Sequence, residues 1–130
     1  MNIGLGSKRK TILLIDSDSL ARAALRNALE AASFTVGEAA NHAEGERTIV
    51  RIKPDAVLAD LLMETMDASG MIACKLKRSG VDIPFYVVST AVDALVGAVD
   101  LRDLGISGVF LKPVDSAVVI QTLKTRLEIS

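Results

Sequence analysis

Four short stretches of the 130-residue sequence carry the side chains best suited to phosphate or metal chemistry: Asp16-Ser17-Asp18, Asp60, Ser89-Thr90 and Lys112-Pro113. Each directly follows a run of apolar residues, so four separate segments end in a group able to hold a phosphate or a cation. Clustered carboxylates repel one another at neutral pH and call for a hard cation. Mg2+, held by one or two carboxylates plus phosphate oxygens, fits that need best. A carboxylate can also attack phosphorus and become an aspartyl phosphate. The transition state of such a transfer is loose, so the protein's task is positioning and charge neutralisation. A lysine supplies a point charge for one phosphoryl oxygen, and a serine hydroxyl donates to another. Together the set reads as a phosphoryl-transfer site.

These groups act together only if the chain brings the ends of the runs to one place. The runs span 11–15, 34–36, 56–59, 85–88 and 108–111, rich in Val, Ile and Leu without polar alternation, as in strands buried on both faces. Helical patterns fill the intervals. The first, over 20–32, aligns Ala21, Leu25, Ala28, Leu29 and Ala32 on one face. The second opens at Asn41, with Glu44 three residues on as in a capping box, and stops before Pro54. A third covers 71–78, and a fourth covers 93–104 with Gly105 as its C-cap. The fifth follows Pro113 with Asp115 or Ser116 as N-cap. Five strand–helix units in alternation predict an α/β fold, a doubly wound parallel sheet with five helices. Ligands then bind outside the carboxyl ends of the strands, where all four stretches stand.

Composition narrows the class. Half the residues are hydrophobic, which argues against disorder, and the formal charge of −1 marks no nucleic-acid partner. The single Cys74 excludes a disulfide framework or a Cys-rich zinc site. No apolar run is long enough to span a membrane, and the first residues show no long apolar stretch ahead of a small-residue cleavage site, so secretion is not expected. One cytoplasmic domain over 11–130 is expected, behind a flexible lead-in over 1–10. Within that lead-in, Gly4 to Lys8 faintly suggests a phosphate loop, but it precedes the first strand instead of following one. His42 reads as a surface residue and Cys74 as packing.

Over 11–128 the sequence resembles the receiver domain of bacterial response regulators, chemotaxis receivers included. The segments that carry the resemblance are ILLIDSDS, PDAVLADLLMETMD, IPFYVVSTA and GVFLKPV, in that order and at receiver-like spacing. The resemblance implies the strand order 2-1-3-4-5, with Asp60 as phosphoacceptor, Ser89 as the assisting hydroxyl and Lys112 as the active-site lysine. It also implies a Mg2+ site made by Asp16, Asp60 and the backbone carbonyl of Leu62.

Three departures from the family pattern stand out. The second member of the usual acid pair, a direct metal ligand, is Ser17 here. Either Asp18 turns in, or a water bridges from Ser17, or the Mg2+ site is weakened; Asp18 serves equally well as the N-cap of the first helix. Past Asp60 the loop carries Glu64 and Ala68 where the family has proline and glycine. Val109 takes the fifth-strand place where many receivers keep a switching aromatic. Phe110 beside it faces the other way.

As a receiver, the domain would accept its phosphoryl group from a histidine kinase or phosphotransfer protein and lose it by self-dephosphorylation, a signalling phosphoacceptor and not an enzyme. The fourth helix shows Leu95, Val96 and Val99 on its outer side. A downstream protein or a second copy would therefore dock on the fourth helix, fifth strand and fifth helix. The alternative is a pseudo-receiver, an interaction module that is never phosphorylated. Less suited is a haloacid-dehalogenase-type phosphatase using Asp16, which leaves Asp60 unexplained and lacks a further acidic motif after Lys112.

Overall fold

The computed structural model describes residues 9–60, 72–89 and 101–129. Five strands, β1 (Thr11–Ile15), β2 (Thr35–Ala39), β3 (Ala56–Asp60), β4 (Phe85–Ser89) and β5 (Gly108–Leu111), pair in parallel in the order β2-β1-β3-β4-β5. Four helices are found among the described residues: α1 (Ser19–Ala31), α2 (His42–Ile52), α3 (Ile72–Arg78) and α4 (Ser116–Arg126). The fold class and strand order expected from the sequence hold. Of the helix expected over 93–104, residues 93–100 lie outside the described residues, and Leu101–Leu104 form a 3-10 turn.

Strand alternation divides the core in two. Leu13, Ile15, Val57, Ala59, Phe85 and Val87 face one side with Ile72 and Ala73 of α3. Ile12, Leu14, Leu58, Tyr86 and Val88 face the other, against Leu29 of α1 and Val119 and Leu123 of α4. Every residue of β3 and β4 is buried, which is why those strands read as unbroken apolar runs. The second strand was expected over 34–36 but runs from Thr35 to Ala39. Phe34 is instead the buried plug of the preceding turn, its N–H donating to the Leu29 carbonyl at 3.0 Å. As an edge strand, β2 tolerates Gly37 and Glu38, which interrupt the apolar signal.

Helix ends follow their capping chemistry. The Asn41 side chain accepts from the Glu44 N–H at 2.9 Å, while the Glu44 carboxylate reaches back to the Ala40 N–H at 3.1 Å. Lys53 closes α2 in the left-handed region just ahead of Pro54. Asp115, rather than Ser116, caps α4 through the Ala117 N–H at 2.9 Å. Gly105 ends the 3-10 turn at φ +81°, and a Cβ there would lie 2.6 Å from the backbone oxygen of Ala73. Gly105→Ala is thus expected to combine left-handed strain with a clash that no side chain can relieve, lowering stability by about 2 kcal/mol. Chemical denaturation of the two proteins checks this.

Candidate functional site

The carboxyl ends of β1, β3, β4 and β5 form one sheet edge, because all neighbouring strands run parallel and in matched register. Asp60 is the last residue of β3 and only 5% exposed. Ser89 ends β4 beside it and is 3% exposed. Lys112 follows β5, its N–H donating to the Ser89 carbonyl at 3.2 Å, and it precedes a cis bond to Pro113. Its Nζ donates to Asp60 Oδ2 at 2.8 Å. Hydrogen bonding to Asp60 raises the Lys112 pKa above the usual lysine range, so the ammonium is kept charged.

Asp16 stands one residue past β1 and is half-buried. Its N–H donates to the Ala39 carbonyl of β2 at 3.0 Å, and its Oδ1 accepts from the Asp18 N–H at 2.8 Å. Burial raises its pKa above the ordinary aspartate value, and the nearby charge of Asp60 adds to that, against the lowering by the Asp18 N–H. Two carboxylates that work against each other at one sheet edge make a donor set suited to a hard cation. Asp16 and Asp60 fit Mg2+ in kind. Among the described residues no group of three or more His, Cys, Asp or Glu side chains is arranged to hold a metal.

Asp18 lies at the start of α1. Its Oδ1 accepts from the Leu20 and Ala21 N–H groups at 3.0 and 3.1 Å, so it is the N-cap of α1. Ser17 is exposed. Leu62, Glu64, Ala68 and Thr90 lie outside the described residues, as do Leu95, Val96 and Val99. Val109 packs into the α3 side of the core and Phe110 into the α4 side, where its ring sits 5.4 Å from that of Tyr86. His42 Nε2 lies 3.1 Å from Glu46 Oε1, which also accepts from Lys75 Nζ at 2.7 Å. Cys74 packs half-buried against the core.

Asp16, Asp60 and Lys112 line a cavity of about 390 Å3 between α1 and α4, whose deeper walls include Leu14, Leu58 and Val88. Sequence reasoning missed a further member, Arg22 of α1. Its Nη1 donates to the Asp16 backbone carbonyl and its Nε to Glu38 Oε1 at 2.8 Å. One available signal was Glu38 itself, a charged residue near the end of a short strand at the same sheet edge.

The family model described as response regulator receiver domain matches residues 12–124 of this chain. The transcriptional regulatory protein PrrA of Mycobacterium leprae is 29% identical over 129 residues, 98% of this chain and 53% of PrrA. The response regulator MprA of Mycobacterium ulcerans is 33% identical over 103 residues, 78% of this chain and 43% of MprA. The chain spans about half the length of these relatives. Solved structures share the fold, two of them as follows. One is a receiver-modulated diguanylate cyclase from Pelobacter carbinolicus, with a TM-score of 0.72 at 24% identity over 92% of both chains. The other is a CheY-like receiver domain protein from Methanospirillum hungatei, with a TM-score of 0.77 at 19% identity over 93% of this chain and 95% of that one.

Proposed function

Because the chain belongs to the response regulator receiver family of two-component signalling, we propose that Asp60 accepts a phosphoryl group from a histidine kinase or phosphotransfer protein. The observation that carries this reading is the Lys112 ammonium held 2.8 Å from a carboxylate that is 5% exposed, at the same sheet edge as Asp16.

In the transfer, an Asp60 carboxylate oxygen attacks phosphorus. The bond from phosphorus to the donor nitrogen breaks, and its electron pair leaves with the imidazole, which takes up a proton. Lys112 neutralises charge on one phosphoryl oxygen and the Ser89 hydroxyl donates to another. Mg2+, held by Asp16 and Asp60 with the Leu62 carbonyl that the family resemblance implies, would neutralise further phosphoryl charge when bound. Self-dephosphorylation is attack of water on phosphorus, which breaks the bond to Asp60 and returns the carboxylate and inorganic phosphate. The domain is in this reading a signalling phosphoacceptor and not a turnover enzyme. Its setting is the cytoplasm, and among the described residues no helix is long and apolar enough to cross a membrane.

Output would pass through the face that includes β5 and α4, to a downstream protein or a second copy. Exposed Leu111 (62%) on β5 and Val118 (51%) on α4 support an apolar contact there. The pseudo-receiver reading draws its own support from exposed Ser17 and from the commitment of Asp18 to the helix cap.

Intact-mass measurement after incubation with a small acyl phosphate and Mg2+ tests the proposal. One added phosphoryl group, located in the peptide that carries Asp60, is the expected result. No adduct across donors and divalent metals would establish the pseudo-receiver instead. Steady phosphate release that needs Asp16 and persists in Asp60→Asn would establish the phosphatase.

A further inference from the structure

Arg22 poses a problem for a site that holds a cation. A guanidinium lining the same cavity as Asp16 and Asp60 carries the charge that pairs with carboxylates, and pairing with either would compete with Mg2+. In the structure it is turned elsewhere. Its Nε binds Glu38 Oε1 at 2.8 Å, and its Nη1 binds the backbone carbonyl of Asp16, with the side chain only 17% exposed. The second oxygen of Glu38 accepts from Arg26 Nη1, and Arg26 Nε reaches Glu30 at 3.2 Å. Glu38 is thus held by two arginines of α1, which keep its carboxyl below the usual glutamate range, Arg22 being the larger cause.

The position of Glu38 explains why it can do this. It sits on β2 opposite Leu14 of β1, and the next residue, Ala39, accepts the Asp16 N–H. The Asp16 main chain is therefore tied on both sides, through Ala39 at its N–H and through Arg22 at its carbonyl. Arg22 in turn is aimed by Glu38.

We propose that Glu38 is a positioning residue that holds Arg22 on the backbone of Asp16 and off the Asp16 and Asp60 carboxylates, so that the guanidinium does not compete there with Mg2+. The inference rests on the receiver reading of those two acids, but its test is separate from phosphorylation. Without Glu38 the guanidinium loses its partner on β2 and turns to the nearest remaining acids.

The test is Mg2+ binding alone, by calorimetry and amide chemical shifts, on wild type, Glu38→Gln, Arg22→Gln and the double variant, with thermal unfolding of each as a control on folding. Glu38→Gln should weaken Mg2+ binding roughly tenfold, the size seen when groups that orient metal ligands are removed. The double variant should bind as Arg22→Gln does and more tightly than Glu38→Gln, because the competing cation is gone. A purely structural role for Glu38 predicts the opposite order, since the double variant has lost more of the clamp. Glu38→Asp, which keeps the charge with a shorter reach, should fall between wild type and Glu38→Gln, and it preserves the comparison if Glu38→Gln does not fold. Unchanged binding in both Glu38 variants would overturn the proposal, as would a double variant no tighter than Glu38→Gln. Wild type that takes up a phosphoryl group on Asp60 yet shows no Mg2+ binding would overturn it too, while leaving the receiver reading intact.

Discussion

Asp60→Asn is expected to abolish phosphoryl incorporation completely while leaving the fold in place. Asparagine matches aspartate in shape, and its amide oxygen can still accept from the Lys112 ammonium that now meets Asp60 Oδ2 at 2.8 Å. What it loses is the anionic oxygen that attacks phosphorus, and no positioning of neighbouring groups replaces a missing nucleophile. The variant also removes one of the two carboxylates proposed to hold the cation, so its Mg2+ affinity should fall with its phosphorylation. Intact mass after exposure to acyl phosphate and Mg2+ reads the first effect, calorimetry the second, and thermal unfolding shows that the protein is still folded. An adduct that survives in Asp60→Asn would move the chemistry to another residue and end the assignment of Asp60.

Ser17→Asp should change metal binding in the other direction. Ser17 is exposed between Asp16, whose carboxylate is proposed to hold the cation, and Asp18, whose carboxylate caps α1. A second acid at this turn adds a charged ligand at little cost in packing. Mg2+ affinity is expected to rise roughly ten- to a hundredfold, or about 1–3 kcal/mol. Ser17→Asn, which adds size without charge, should give little of this gain. Asp18→Asn keeps a good cap and should leave Mg2+ binding near the wild-type value. Calorimetric titration of the three variants decides the matter, and equal affinity in wild type and Ser17→Asp would mean that position 17 does not face the cation.

How far the sequence reveals this arrangement depends on the range of the interaction involved. Runs such as 56–59 and 85–88 announce strands because both faces are buried, and Asp60, Ser89 and Lys112 announce a site because they end such runs. Phe110 and Val109 part to opposite faces by strand alternation alone. The edge strand β2 is harder to read, since solvent on one side lets Gly37 and Glu38 into it. Asp18 can be read from its neighbours as a cap or as a ligand, and only the positions of the Leu20 and Ala21 amides show that the cap is made. Arg22 and Glu38 are sixteen residues apart on different elements, and their pairing follows from how α1 lies over β2, which no local pattern states.

Tyr86 is the sole tyrosine of a chain without tryptophan. It lies buried on β4, three positions before Ser89, with its ring tilted against that of Phe110, two positions before Lys112. Burial pushes its phenol above the usual tyrosine pKa, so the ring stays neutral well into alkaline solution. The protein's ultraviolet fluorescence therefore arises at one spot, between the two strands that deliver the hydroxyl and the lysine. A change in how the Phe110 ring sits against Tyr86 would alter the surroundings of that one emitter, which places an optical probe where β4 and β5 meet.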